Sequence, residues 1–288
     1  GVGTDDEVAR RPSKADQALR ESYGKLTPWQ KTQVARHPGR PHTLDYISAL
    51  IEDYTPLAGD RQYGEDEAIV GGLGRFRDMP VMVMGHEKGS DTESRLKHNF
   101  GMARPEGYRK TVRLMETAER FGLPVIAFVD TAGAYPGVGA EERGQAEAIA
   151  RGIDACLSLC TPNVSLVIGE GGSGGAVAIA VTIAILMMEH AIYTVASPEA
   201  SASILWHDSA RAADAATAMK VTASDLKRFK VIDQIITEPV GGAHRAPQEA
   251  IESAGRAIES VLKDFNGVES DEIRRRRREK FIAMGRSL

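Results

Sequence analysis

The chain has 288 residues, of which 42% are hydrophobic and 26% are charged, and its formal net charge is -4. Such a chain can bury a substantial core as one large domain or as one domain with an appendage. The small negative charge gives no overall reason to expect a nucleic-acid partner.

The cysteines and the apolar segments bear on compartment. Cys156 and Cys160 lie four residues apart in a helical pattern, which predicts packing, and two cysteines cannot make a four-thiolate zinc site. No histidine spacing adds a metal site, so we expect no metal in this chain. With no disulfide framework or leader visible, the sequence predicts a cytoplasmic protein. The apolar run 176–188 is too short to span a membrane and predicts a buried core helix.

The N-terminal 40 residues are polar and proline-interrupted, and we expect them to form an arm in which only residues 28–36 are helical. Residues 43–54 predict a short amphipathic helix. Two β-rich runs, 68–76 and 79–85, are separated by two residues, which is the pattern of a hairpin.

Helical and β-rich patterns then alternate along the chain. The predicted helices are 107–121, 141–159 and 176–188, and the predicted strands are 125–129, 163–168 and 191–196. This alternation predicts an α/β fold with a parallel sheet and crossover helices. In such sheets, ligands bind beyond the carboxyl ends of the strands.

The C-terminal part is predicted to be mainly helical. Five consecutive arginines at 274–278, flanked by Glu272 and Glu279, predict a solvated helix face. The other predicted elements are helices at 210–219, 224–229 and 247–265 and a strand at 231–236.

The segment LVIGEGGSGGA at 166–176 joins a β-rich run to a helix-length apolar run through a predicted five-glycine turn. Backbone N–H groups that collect at a helix N-terminus bind negative charge, and glycines let a ligand oxygen approach them closely. The segment contains G-x-G-x-x-G, the dinucleotide fingerprint, but no acidic residue ends the next predicted strand as that site requires.

Two other kinds of site fit the same segment. The pattern G-x-S-x-G would make Ser173 the nucleophile of a hydrolase, although nothing in the spacing selects its partners. Alternatively, paired N–H groups would form an oxyanion hole, which holds a negative oxygen that develops only during reaction. A second glycine-bearing loop, residues 130–137, is predicted at the same edge of the sheet.

Five segments resemble one family, the alpha subunit of bacterial acetyl-coenzyme A carboxylase carboxyltransferase. They are RPEGYRK (104–110), GAYPGVGAEERGQ (133–145), IGEGGSGGA (168–176), SPE with ILW (197–199 and 204–206) and GGAHR (241–245). The resemblance implies a crotonase-like (ClpP/crotonase) spiral of ββα units with helical extensions at both ends. We therefore divide the chain into a helical arm (1–40), a carboxyltransferase domain (41–265) and an arginine-rich helical tail (266–288).

The resemblance also implies a function: transfer of a carboxyl group from carboxybiotin on a biotin carboxyl carrier protein to acetyl-CoA, which gives malonyl-CoA for fatty-acid synthesis. Carried over, the N–H groups of Gly174 and Gly175 would form the oxyanion hole for the biotin enolate. The neighbouring residues expected to contact substrate are Gly171, Gly172, Gly133, Ala134 and Tyr135.

The implied partners are a zinc-bearing beta subunit in an α2β2 assembly, the carrier protein and a biotin carboxylase that uses ATP. Lys88, Arg109 and Lys110 lie in a basic, glycine-interrupted region and would contact the anionic coenzyme or an acidic carrier, or else form subunit salt bridges or a solvated face. Two alternative functions stay open at this stage. One is a serine hydrolase or peptidase that uses Ser173, and the other is a non-catalytic scaffold subunit.

Overall fold

The computed structural model describes residues 4–286, which form one mixed sheet with helices packed on it. The strands are β1 (Glu52–Pro56), β2 (Ile69–Phe76), β3 (Met79–His86), β4 (Val125–Thr131), β5 (Asn163–Gly172), β6 (Ala184–Met188), β7 (Ile192–Thr194) and β8 (Gln234–Ile236). The helices are α1 (Thr4–Gly24), α2 (Pro28–Ala35), α3 (Thr43–Leu50), α4 (Thr92–Lys97), α5 (Pro105–Phe121), α6 (Val138–Glu142), α7 (Gln145–Ser158), α8 (Ser173–Ala180), α9 (Pro198–Trp206), α10 (Ala212–Ala218), α11 (Ala223–Arg228), α12 (Pro247–Asp264) and α13 (Ser270–Ala283).

The sheet has the strand order β1-β2-β3-β4-β5-β6-β8, and β7 pairs with the end of β5. Strand β2 is antiparallel to both of its neighbours, β1 and β3, whereas β3, β4, β5, β6 and β8 run parallel. The predicted α/β architecture with a parallel sheet is confirmed. None of the helices within residues 4–286 combines the length and apolarity needed to cross a bilayer.

The predicted hairpin is confirmed to within one residue at each end. Phe76 of β2 pairs with Met79 of β3, so the connection is the two residues Arg77 and Asp78. Both have positive φ, 48° and 66°, which matches the right-handed twist of the flanking strands.

Helices α5 and α7 cover one face of the sheet. The buried stripe of α5 includes Tyr108, Leu114 and Met115, and the helix ends at Gly122, whose φ is 65°. Cys156 of α7 is fully buried, with its Sγ 3.6 Å from Met115 Sδ, as its spacing predicted. The predicted helix 141–159 is divided at Gly144, between α6 and α7.

The prediction of one buried helix over 176–188 is wrong, because α8 ends at Ala180 and β6 begins at Ala184. The polar side chains around the break explain it. The Thr182 hydroxyl bonds to Ser165 Oγ at 2.8 Å, and the Ile183 N–H donates to Asn163 Oδ1 at 2.9 Å. A fully buried parallel strand and a buried helix carry the same continuous apolar pattern, so periodicity could not separate them.

Two further expectations need correction. The predicted helix 43–54 ends at Leu50 and gives way to β1, which pairs with β2 at the sheet edge. In the N-terminal arm, α1 is helical in addition to α2, and residues 1–3 lie outside the described part. Neither α9 nor the short α4 was predicted. The predicted strand 191–196 is observed as the shorter β7, which pairs with the end of β5. The place next to β5 in the main sheet is taken by β6.

The arginine run was predicted to be a solvated face, and that is wrong for Arg277. Arg274, Arg275 and Arg276 are exposed and pair with acids of their own helix. Arg277 is fully buried, and it donates to Asn163 Oδ1 at 2.8 Å and to the Thr161 carbonyl oxygen at 3.0 Å. Burial lowers its pKa to about 10. Helix α13 is thereby attached to the segment that enters β5.

We expect Arg277→Ala to lower the free energy of unfolding by about 2 to 4 kcal/mol, because several buried acceptors lose their donor. Arg276→Ala is the matched control, and it should change little because that side chain is exposed. Chemical denaturation of both variants measures the difference, and equal effects would show that Arg277 does not anchor α13.

Candidate active site

Strand β5 is longer than predicted and includes the first glycines of the glycine segment. The expected five-glycine turn is wrong, because β5 continues to Gly172 and residues 170–172 pair in parallel with β7. The direction changes at Ser173, whose φ of 55° lies in the left-handed region that favours glycine. This pairing with β7 is a long-range contact, so local sequence could not indicate it.

The first turn of α8 presents free backbone donors. Its N-cap residue, Gly172, supplies no side-chain hydrogen bond, and the first N–H groups of any helix have no partner within the helix. Gly174 and Gly175 lie in this turn, where the helix dipole also favours negative charge. The structure therefore places both predicted oxyanion donors at a helix N-terminus.

The loop that follows β4 lies directly against this turn. A Cβ added to Gly172 would overlap the Ala132 carbonyl oxygen, and one added to Gly175 would lie 2.8 Å from the Ala134 nitrogen. Gly133 has a φ of 154°, and its carbonyl oxygen accepts a 2.7 Å hydrogen bond from the Thr131 hydroxyl. The two glycine-bearing segments predicted at this edge, residues 130–137 and the end of β5 with the start of α8, are thus in contact.

Two other predicted substrate contacts flank the loops. The Arg104 guanidinium carbon lies 4.5 Å from the centroid of the Tyr135 ring. The backbone N–H of Tyr135 donates to the Ala103 carbonyl oxygen at 3.0 Å. A Cβ on Gly171 would lie 2.8 Å from Tyr193 Cδ2, so Gly171 gives room to that ring. Their contact with a substrate stays a prediction.

A cleft of about 410 Å³ opens beside α8. This volume is within the range of small-molecule sites, and most of the lining side chains are apolar. The lining residues are Ser173, Gly174, Val177, Tyr193, Thr194, Val195, Met219, Leu226 and Val231. One of the two predicted donors, Gly174, therefore borders the cleft directly.

A chain of buried ion pairs joins the carboxyl ends of β4 and β5. Lys88 Nζ lies 2.9 Å from Asp130 and 2.7 Å from Glu170. His42 Nδ1 is 3.2 Å from Asp130, and Arg36 lies 2.6 Å from Glu170. Asp130 and Glu170 were not among the predicted site residues, although each follows a β-rich run at the sheet edge.

The charges in this chain support one another. Burial alone would raise the pKa of Asp130, but the Lys88 ammonium and the hydrogen bond with His42 hold it well below its usual range. Burial opposes the charged form of Lys88, yet Asp130 and Glu170 raise its pKa above the ordinary value. We call Arg36, His42, Lys88, Asp130 and Glu170 the ion-pair chain.

The three basic residues predicted to contact a ligand each form an ion pair with an acid of this chain. Lys88 belongs to the ion-pair chain, and Arg109 Nε lies 2.7 Å from Asp60. Lys110 pairs with Glu65 and donates to the Asp66 carbonyl oxygen at 3.0 Å. Of the predicted alternatives, these three side chains form salt bridges within the chain and no solvated face, and contact with a ligand stays a prediction.

The described residues do not give Ser173 the base that a serine hydrolase needs. Within residues 4–286, no hydrogen bond joins the Ser173 hydroxyl to a histidine, as a nucleophile–base pair requires. Of the histidines downstream, His207 caps the end of α9, and His244 stacks on His37 with ring centroids 3.8 Å apart. In the same described part, no three His, Cys, Asp or Glu side chains are grouped as a metal site requires.

Solved structures show to which class this fold belongs. Transcarboxylase 12S matches with a TM-score of 0.64 at 18% identity, over 82% of this chain and 45% of that one. The beta subunit of Pseudomonas aeruginosa geranyl-CoA carboxylase matches with a TM-score of 0.60 at 14% identity, over 83% and 46%. This chain therefore spans about half the length of these proteins. Its fold is that of the crotonase-like carboxyltransferases.

Sequence comparison identifies the family. The profile described as "Acetyl co-enzyme A carboxylase carboxyltransferase-like" matches residues 1–285. Relatives named acetyl-coenzyme A carboxylase carboxyl transferase subunit alpha include one from Methylobacterium nodulans, 65% identical over all of this chain and 90% of the relative. Another, from Xanthobacter autotrophicus, is 64% identical over all of this chain and 91% of the relative. The chain belongs to the acetyl-CoA carboxylase carboxyltransferase alpha-subunit family.

We expect Asp130→Asn to lower the free energy of unfolding at pH 7 by about 3 kcal/mol, because it removes one of the two carboxylates that pair with Lys88 and the carboxylate that pairs with His42. Since the pKa of Asp130 is depressed in the folded chain, its stabilisation is present above the unfolded pKa of about 4 and is lost as pH falls further. The difference between wild type and variant should therefore shrink between pH 7 and pH 3 in denaturant titrations.

Asp53→Asn is the matched control, because the Asp53 side chain is 74% exposed. It should change stability little at either pH. A loss in Asp130→Asn that is equal at pH 7 and pH 3 would contradict the role assigned to the carboxylate charge.

Proposed function

We propose that this chain, together with a partner subunit, transfers a carboxyl group from carboxybiotin on a carrier protein to acetyl-CoA, giving malonyl-CoA for fatty-acid synthesis. The observation that carries the proposal is the first turn of α8, where Gly174 borders a largely apolar cleft and Gly175 follows it in the same turn. Membership of the carboxyltransferase alpha-subunit family supports the reaction class.

The reaction needs donors more than it needs a nucleophile. The carboxyl group leaves a ureido nitrogen and bonds to the acetyl methyl carbon, and the proton lost by that methyl group passes to the ureido nitrogen. Negative charge develops on oxygen atoms meanwhile. Preorganised N–H donors stabilise such charge, and losing one costs about 3 to 4 kcal/mol in other enzymes.

In this chain, the N–H groups of Gly174 and Gly175 would donate to the ureido oxygen as charge develops on it. The residues present fit such a group, because most of the cleft lining is apolar and Gly174, which has no side chain, is part of that lining. A Cβ on Gly174 would make only ordinary contacts, 3.5 Å from Ile149 Cδ1, so a side chain there has room to project without rebuilding the turn. Holding two substrates in register can contribute a further 7 to 11 kcal/mol or so.

A partner chain would complete the site. Val195, which lines the cleft, is 82% exposed, and Ile204 and Leu205 of α9 are also exposed. Large exposed apolar residues near a site are typical of interaction surfaces. We propose that a zinc-bearing beta subunit binds here in an α2β2 assembly and holds the acetyl-CoA. The biotin carboxyl carrier protein and an ATP-dependent biotin carboxylase would supply carboxybiotin in the cytoplasm.

The first test is assembly and transfer. We expect this chain to co-purify in stoichiometric amounts with a candidate beta subunit, and the complex to transfer label from carboxybiotin to acetyl-CoA. Neither chain alone should be active. Assembly without transfer would indicate a scaffold instead, and esterase activity that depends on Ser173 would indicate a hydrolase.

The second test concerns the oxyanion donors. We expect Gly174→Val to reduce transfer at least about 100-fold, the loss expected when one donor is obstructed, while the complex still assembles. Gly174→Ala is the smaller control and should lose less, and Ser173→Ala should keep most activity because the donors are backbone groups. Unchanged transfer in Gly174→Val would refute the placement of the site.

A further inference from the structure

His86, the last residue of β3, lies directly beneath the catalytic turn proposed above. It is fully buried, and its Nε2 is 3.2 Å from the Gly175 carbonyl oxygen. Its Nδ1 is buried without a hydrogen-bond partner among the described residues. The contact joins residues that are 89 positions apart in the chain.

The surroundings determine which ring nitrogen carries the proton. Burial lowers the pKa of His86 to about 4, a shift that Lys88 reinforces and Asp130 opposes, so the ring is neutral at pH 7. A carbonyl oxygen can only accept a hydrogen bond, so the single proton belongs on Nε2. The opposite tautomer would lose this hydrogen bond and set the Nε2 lone pair against the lone pairs of the Gly175 carbonyl oxygen.

The first turn of α8 needs support from outside. Ser173 has a left-handed backbone, two glycines follow it, and the N-cap side chain is absent. Glycine within a helix costs about 1 kcal/mol relative to alanine, and a helix of eight residues is marginal by itself. Nothing local therefore holds this turn in one orientation.

Gly175 is enclosed on its other side. A Cβ added there would lie 2.8 Å from the Ala134 nitrogen and 2.9 Å from the Tyr108 hydroxyl oxygen. With the loop on one side and His86 bonded to its carbonyl oxygen, Gly175 has little freedom to rotate. The peptide groups of the same turn carry the Gly174 and Gly175 N–H donors.

We infer that His86 is a positioning residue: by donating from Nε2 to the Gly175 carbonyl oxygen, it holds the turn so that both glycine N–H groups face the reacting oxygen. This inference rests on the proposed function, which assigns those N–H groups to catalysis. His86 itself touches no substrate, since it is fully buried.

The kinetic test compares two substitutions in the assembled enzyme. His86→Leu removes the donor, and we expect kcat to fall about 10- to 100-fold with KM for both substrates changed less than about twofold. His86→Gln keeps an amide N–H donor near the position of Nε2 and should recover a substantial part of kcat. Equal kcat in wild type and His86→Leu would overturn the inference.

His98→Leu is the matched control. His98 is also buried and also bonds to a backbone carbonyl oxygen, that of Glu67, with its Nδ1 2.6 Å away. Its loss should lower stability without lowering kcat of the folded complex. If His98→Leu lowers kcat as much as His86→Leu, the effect is a general loss of packing and the inference fails.

A spectroscopic test is independent of activity, because it reads the ring of His86 in the wild-type complex and uses a variant only to assign the signal. The ¹⁵N spectrum of the complex, with histidine labelled in this chain only, should show His86 at pH 7 with a protonated Nε2 and a bare Nδ1. The signal is assigned by its absence in His86→Gln. A protonated Nδ1, or an imidazolium, would overturn the inference even if transfer activity is normal. Absence of transfer in the wild-type complex would instead refute the proposed function.

Discussion

The close approach of two stretches of backbone, at the ends of β4 and β5, is the constraint on which the rest of the site depends. Gly172 lies so near Ala132 that no side chain fits between them, and a Cβ on Gly175 would also lie too close to Ala134, at 2.8 Å from its nitrogen. Glycine is therefore required for contact, not for flexibility alone. Because these strands are parallel neighbours, their carboxyl ends meet, and the helix that follows β5 points its N–H groups into the shared edge.

Ion pairs also stabilise the carboxyl ends of β4 and β5. The ion-pair chain satisfies two carboxylates that would otherwise be costly to bury. It joins the N-terminal arm to β5 through Arg36, and it joins His42, which follows the arm, to β4. These ion pairs hold the ends of β4 and β5 together next to the first turn of α8, which has little intrinsic stability. The glycines can remain where the chemistry needs them because the elements around them hold the backbone.

Much of the architecture followed from local patterns. The hairpin, the helices α5 and α12 and the strands β4 and β5 follow from periodicity and turn residues, because those signals are local. The helix predicted over residues 176–188 failed because β6 is buried on both faces and has no alternating pattern. Arg277 was misjudged because an arginine inside a charged run looks the same whether its acceptors are water molecules or buried carbonyl oxygens.

The sequence by itself determined the fold class, the family and the presence of two glycine-bearing segments at one sheet edge, since each of these depends on residue type and spacing along the chain. Only the tertiary structure decided which groups surround Gly175, that β5 continues through the glycines to pair with β7, and that Lys88, Arg109 and Lys110 are held in internal pairs. The physical reason is distance along the chain. His86 and Gly175, or Arg36 and Glu170, are separated by many residues and meet only when the sheet assembles, so no local pattern records their contact.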